Sequence, residues 1–470
     1  MSVLRFRSWS VVVAVFVAFI GLLTVPTARA QQSGLRISLI RDAEIETIIR
    51  AYAAPVFAAA GLPAGSIRVH LVADSSVNAF VAGGLNLFMN TGLLLRAENP
   101  NQVIGVIAHE AGHLAGGHLA RTREAMRNAT IEGIVAMVLG MAAAVAGGRP
   151  DGAGAAMLGG MQLAERSFLA YSREMETSAD QAALNFLDRA QISARGLQEF
   201  LTSLLDQELL SVGRQDPYLR SHPITRERVD HVRNFLLTSR YADAPVNPRF
   251  AEMHQRLRAK LLGFIDPDRA LQQYRESDRS IPARYARAIA YSRKAQIDRA
   301  IALMDGLLRE RPADPYFLEL KAQILLEAGR AADSLPFYQR AVQALPNEPL
   351  IRTALGNAQV QTGRPDQMRA AIATLERSRQ LDATYGETWR LLAVAYGRDG
   401  QIGMASLAQA ELEALNHEWV EAQQFAERAI RDLPRGTAAA LRAEDLRVNA
   451  EREARDPNYR RARRERRDRR

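Results

Sequence analysis

Residues 99–113 read Asn-Pro-Asn-Gln-Val-Ile-Gly-Val-Ile-Ala-His-Glu-Ala-Gly-His, and everything else in the chain is interpreted around them. Asn99 suits a helix N-cap and Pro100 a first helical turn, and the apolar run from Val103 to Ala108 is compatible with a helix. On such a helix His109 and His113 are separated by about 400°, so both imidazoles leave one face roughly a turn apart. That spacing suits two nitrogen ligands on one zinc ion, with Glu110 between them aimed at the attacking water as a general base. The same pattern also arises as a charged, solvent-facing turn of an ordinary helix. A buried setting and a third ligand separate the two cases.

A third ligand is available downstream. Residues 171–180 read Tyr-Ser-Arg-Glu-Met-Glu-Thr-Ser-Ala-Asp, which again places Glu176 and Asp180 at i and i+4 on a helix. Two histidines and a glutamate leave the fourth position of a tetrahedral zinc site open for water, as hydrolysis requires. Asp180 then accepts the other ring N–H of a ligand histidine and fixes its tautomer. Alone, these carboxylates would read as an ordinary surface helix; beside His109 and His113 they do not.

Together the two motifs resemble the zinc metalloproteases of the HtpX/CAAX-prenyl-protease superfamily, gluzincin peptidases with a His-Glu-x-x-His helix, and among them the periplasmic BepA-like branch. The matching pieces are Asn78-Ala79-Phe80 to Gly84, Thr91-Gly92, the 109–113 pentapeptide, the segment ending at Asp180, and Ser221-His222-Pro223 with Arg228. The resemblance implies zinc bound by His109, His113 and Glu176, Glu110 as base, and Asp180 in support. Glu174, two positions from that ligand, is the competing assignment. His222 is implied to lie over the metal, as a removable fourth ligand or as a donor to the transition state; from spacing alone it reads as a turn residue before a proline. His118 is nine residues from His109, two and a half turns on, and points to the opposite side of the helix.

Arg5 and Arg7, an apolar run from Val11 to Leu23, and Ala28-Arg29-Ala30 form a secretory signal peptide over residues 1–30. The expected location is the periplasm. With no cysteine there is neither a lipid-attachment site nor a disulfide. The net charge of +9 is concentrated at the ends: +3 in the signal segment and +6 in residues 452–470, where ten arginines face four acids. The neutral body excludes a general nucleic-acid-binding surface. The tail reads as a contact for anionic lipid or an acidic partner, or as a solvated, disordered or frayed segment.

Residues 133–148 are uncharged and span about 24 Å as a helix, short of a bilayer core of about 30 Å. With the glycine-rich stretch from Gly147 to Gly160 they read either as a flap dipping into a membrane surface or as a buried core helix. Ile67 to Val72 alternates as a strand does, and Asn86-Leu87-Phe88-Met89 follows a glycine turn. Asn86, Leu87, Phe88 and Met89 are the candidate edge strand for an extended substrate. His70 reads as structural.

From about Ala283 the chain changes period. Pro312 and Pro346, Pro315 and Pro349, and Gly329 and Gly363 are each 34 residues apart. That is the tetratricopeptide-repeat period, and about four units fit, with a short insertion near Gln380. The expected fold class is an α+β zincin-like metalloprotease domain, mostly helical with a small edge sheet, followed by an all-α repeat solenoid. Its boundaries are 31–235 for the protease, 236–281 for a helical linker hinged near Ile265-Asp266-Pro267-Asp268, 282–437 for the repeats, and 438–470 for a basic, disordered tail.

Two functions remain open at this level. The first is an exported zinc endopeptidase that degrades misfolded or stalled envelope proteins, with the repeats docking substrate or assembly machinery; the resemblance implies outer-membrane barrel assembly. The second is a chaperone or adaptor with a latent or structural zinc site. Glu110 favours the first, because a purely structural zinc site needs no base.

Overall fold

The computed structural model describes residues 39–63, 67–82, 85–117, 173–205, 218, 222 and 224–468. The signal segment, His118, residues 133–148 and the glycine-rich stretch lie outside them. Among the described residues no helix is long and apolar enough to cross a membrane.

Among the described residues the N-terminal half holds four strands: β1 Leu39–Ile40, β2 Arg68–Val72, β3 Ala79–Ala82 and β4 Asn86–Asn90. Their order is β1-β2-β4-β3, with β2 and β4 parallel and the other two pairings antiparallel. This corrects the substrate-edge expectation. Asn86, Leu87, Phe88 and Met89 form a central strand, because β2 takes one side of β4 and β3 takes the other. The edge strands are β1 and β3, and β3, the one paired to β4, has four residues, too short a run to stand out by periodicity. His70 bonds to Asn86 at 2.9 Å and stacks on Phe88, a structural role as expected.

Against the sheet pack helices α1 (Ala43–Ala59), α2 (Thr91–Arg96), α3 (Pro100–Ala115), α4 (Arg173–Arg189) and α5 (Arg195–Leu204). The Asn99 side chain caps α3 by accepting from the Gln102 N–H, with Pro100 in the first turn. From Pro100 to His113 every residue of α3 is buried, as expected of a helix apolar on all sides. Tyr52 and Phe57 of α1, Leu87 and Met89 of β4, Ile107 of α3 and Phe200 of α5 share one core.

Two glycines set how closely α3 is approached. A Cβ on Gly112 would meet the Ala179 carbonyl oxygen at 2.5 Å, and one on Gly105 would lie 2.8 Å from Leu197 Cα. The helix bearing His109 and His113 therefore touches the helix bearing Glu176 nearly backbone to backbone. The close approach makes the metal cluster possible.

After α6 (Arg226–Leu236), α7 (Pro248–Ile265) and α8 (Pro267–Gln273) come paired helices: α9 Ile281–Arg293 with α10 Ile297–Glu310, α11 Pro315–Glu327 with α12 Ala331–Ala344, α13 Pro349–Gln361 with α14 Pro365–Leu381, and α15 Gly386–Arg398 with α16 Ile402–Leu415. Within each pair the turn sits in the left-handed region, at Ala295, Gly329, Gly363 and Gly400. Those positions are 34, 34 and 37 residues apart. The irregular step matches the insertion near Gln380: α14 has 17 residues where α12 has 14.

The tail differs from expectation. Residues 438–468 are helical, since α17 (Trp419–Asp432) pairs with α18 (Ala438–Ala454), and α19 (Pro457–Asp468) follows. Ala443 and Leu446 of α18 pack on Ala426 and Ala429 of α17. Periodicity misses this pair because small alanines fill the contact where larger apolar residues would mark a stripe.

The linker region is packed as well. The break at Asp266 exists, and its side chain caps α8. Ahead of it, Arg256 pairs with Glu44 (2.7 Å) and Asp314 (2.6 Å), while Lys260 pairs with Asp42 (2.7 Å). Tyr285 adds a hydrogen bond to Glu44 at 2.8 Å. Arg41 reaches Asp382 at 3.2 Å and lies over the Tyr385 ring. The start of α1 is thus tied to the repeats by charges that are paired where they are buried.

Candidate metal centre

Four side chains from three segments meet in the core: His109 and His113 from α3, Glu176 from α4, and His222 from the chain ahead of α6. Their ligand atoms all lie within 4.8 Å of one another. Nε2 of His109 is 3.0 Å from Nε2 of His113, 3.3 Å from Glu176 Oε2 and 3.3 Å from His222 Nδ1. Glu176 Oε1 lies 3.3 Å from His113 Nε2 and 3.0 Å from His222 Nδ1. Donors bound to one zinc at 2.0–2.1 Å in a tetrahedron are about 3.3 Å apart. The residues therefore fit a single tetrahedral ion, with three nitrogens and one carboxylate as donors.

The support behind these donors is equally specific. Asp180 Oδ1 accepts from His109 Nδ1 at 2.8 Å, which turns Nε2 of that ring toward the other donors, the nitrogen that would bind a metal. Arg228 donates to Asp180 through Nε at 2.7 Å and Nη2 at 2.9 Å, and its Nη1 lies 2.8 Å from Glu176 Oε2. One guanidinium thereby holds both carboxylates of α4 in place. Glu174 is exposed on the far side of that helix, so the register of the glutamate is Glu176.

Burial weighs against charge throughout this pocket, and the neighbours decide the outcome. It drives His113 down to about 3. On His109 the pull of Glu176 and Asp180 overcomes it and raises the pKa to about 9. Glu176 and Asp180 stay far below the usual carboxylate range despite burial, held there by the histidines and by Arg228 respectively. Glu110 moves the other way. Burial raises its pKa against the pull of His222 and His109 and a backbone hydrogen bond from Val81. A carboxyl poised upward in this manner is suited to taking a proton and releasing it again.

Glu110 Oε1 is 3.5 Å from His222 Nε2. The His222 ring therefore faces two ways: Nδ1 to the donor cluster, Nε2 to the base. Tyr218 lies against it, ring centroids 4.8 Å apart, and the Tyr218 N–H donates to the Val77 carbonyl beside β3. The segment bearing His222 thus rests on the same edge whose Val81 touches Glu110. The sequence reading gave Tyr218 no role, and Arg228 only a place in the motif. A tyrosine four residues ahead of the His-Pro pair and an arginine six residues after its histidine were the signals present.

Residues 39–236 match peptidase family M48, and residues 285–349 and 325–393 match tetratricopeptide-repeat models. The chain carries an M48 metalloprotease domain followed by tetratricopeptide repeats. All residues of the centre lie inside the matched M48 segment. A beta-barrel assembly-enhancing protease of Yersinia pestis is 25% identical over 377 residues, covering 76% of this chain and 74% of its own. The protein of that name from Escherichia coli (strain K12) is 26% identical, with 69% and 66% covered. The metalloprotease LoiP of the same strain is 30% identical over 169 residues, 36% of this chain and 61% of its own. The first two alignments are too long for the M48 domain alone and extend across both halves.

Proposed function

We propose that the protein is a zinc-dependent endopeptidase of the periplasm that removes misfolded or stalled outer-membrane barrel proteins, with the repeats docking substrate or assembly machinery. The observation that carries the reading is the pairing of a hydrolytic donor set with Glu110, a base no structural metal site needs. Zinc, held by His109, His113 and Glu176, would supply Lewis acidity at the scissile carbonyl. Glu110 takes the proton of the attacking water and passes it to the leaving amine. Asp180 and Arg228 keep the donor rings and carboxylates in register. An extended substrate adds to β3, the edge strand beside Glu110, through main-chain hydrogen bonds, which selects for unfolded backbone over sequence.

His222 acts as a gate. Its Nδ1 lies at donor distance from His109 and Glu176, so the imidazole fills the fourth position that water needs. The alternative of a transition-state donor needs the ring to stand off from the donors. The proximity of Nδ1 favours the gate. A chaperone role is compatible with the gated state, in which the repeats bind a client before cleavage. The export reading rests on residues 1–30, and the barrel-assembly reading on the names of the two long relatives.

The test is cleavage of an unfolded barrel protein by the protein lacking residues 1–30, before and after chelation and with zinc restored. Loss and recovery of cleavage with zinc support the protease; binding without cleavage under every metal condition would leave only the chaperone.

A further inference from the structure

The far end of the solenoid combines two features that the peptidase reading does not use. The first is charge. Arg455, Arg460, Arg463 and Arg464 line one groove of about 670 Å³ with Tyr459, Val420 and Gln423, and the one acid on its wall, Glu451, is already paired with Arg455. Arg460, Arg461 and Arg464 are exposed. A helix so rich in like charges repels itself, and α19 is held by contacts at its inner side: Arg463 with Glu421 at 2.6 Å and Tyr459 against the start of α17. The arginines are therefore displayed on a fixed scaffold.

The second feature is apolar. The solvent-facing positions of a surface helix are normally polar. Here α18 exposes Leu441 (54%) and Val448 (56%). They are seven residues apart, and Arg452 and Arg455 follow at helical spacing, so all four lie along one stripe of the helix. Exposed apolar groups in line with arginines are what a helix lying in a lipid interface presents. Nucleic acid would call for aromatic rings to stack on, and the one aromatic residue of the groove, Tyr459, is half-buried against α17.

We propose that the C-terminal end of the repeats, α18 and α19, is a docking surface for an anionic membrane. The arginine charges face lipid phosphates, while Leu441 and Val448 enter the headgroup boundary. The contact fixes the solenoid on a lipid surface by the end farthest in sequence from the metal centre, and leaves the protease free to meet chains arriving there.

The experiment is co-sedimentation of the protein with vesicles of phosphatidylcholine containing about one-third phosphatidylglycerol, beside phosphatidylcholine alone, at low and physiological salt. Binding is expected only to the anionic vesicles and to weaken with salt. Arg460→Gln/Arg461→Gln/Arg464→Gln together should lower the partition coefficient on the order of 100-fold, about fivefold per arginine. The corresponding triple lysine variant should keep most of it. Leu441→Asn/Val448→Asn should lower the portion that survives salt. Arg364→Gln, at an exposed turn of the solenoid, should change nothing, and circular dichroism of each variant checks that the helices persist. Equal binding to both vesicles, no binding at low salt, or a triple glutamine variant that binds normally overturns the proposal. So does displacement by millimolar inorganic phosphate, which would mark a free-phosphate site, or tighter binding to RNA than to vesicles.

Discussion

Arg228 grips Asp180 through two nitrogens, at 2.7 and 2.9 Å, directly behind the ring of His109. Asp180 in turn holds His109 by Nδ1, so a residue 119 positions later in the chain sets which nitrogen of His109 faces the metal position. Arg228→Gln should weaken metal affinity about 10–100-fold, as losses of such supporting contacts do. Arg228→Lys should restore little, because an ammonium cannot make the forked contact. Competition with a chromophoric chelator measures both; unaltered affinity in Arg228→Gln would make the arginine a packing residue.

Glu110→Gln should retain one metal per chain and lose peptide hydrolysis by at least about 10²-fold. The amide keeps the shape and leaves the donor rings untouched, so metal content and turnover on one preparation separate the base from the binding site.

Glu176→Ala is expected to lose metal and activity together, and Glu174→Ala neither. The two lie on opposite sides of α4, one buried among the donors and one in solvent. Metal loss in the Glu174 variant would overturn the assignment by two residues.

If His222 gates the site, replacing it by alanine should open the fourth position. Basal cleavage of casein should rise and self-cleavage appear. A fall of about 10²–10³-fold with metal retained would instead identify a transition-state donor.

Glu319 lines the junction between α1 and the repeats and has a pKa raised to about 8 by burial, with Asp42, Glu44 and Glu348 adding to the effect and Lys260 opposing it. In the unfolded chain a glutamate titrates near about 4.3. Between those values the folded protein holds a proton that the unfolded chain has released, so stability falls as pH rises from about 4 to about 8. Glu319→Gln should remove that slope. Urea unfolding should show the variant equal to the parent near pH 4 and increasingly more stable than it as pH rises toward about 8; a parallel pH profile for both proteins would exclude Glu319 as its source.

The metal ligands of α3 and α4 were legible because they are local. Residues i and i+4 share a helix face whatever the helix packs against, and the 34-residue period shows through for the same reason. Asn99 capping α3 and the left-handed turns at Gly329 and Gly363 are likewise properties of short stretches. Sheet order is not local. Asn86–Met89 looks the same in sequence whether it is central or edge, and only the pairing of β2 and β3 on its two sides decides. The fifth helix pair escaped because alanines at its contact carry little hydrophobic contrast. The sequence by itself marked the candidate donors His109, His113 and Glu176, the candidate base Glu110 and the repeats. Only the tertiary structure placed His222 against the donors, hung Arg228 behind Asp180 and put β3 at the edge, since each of these joins segments whose approach depends on packing, such as the near-contact that Gly112 allows at Ala179.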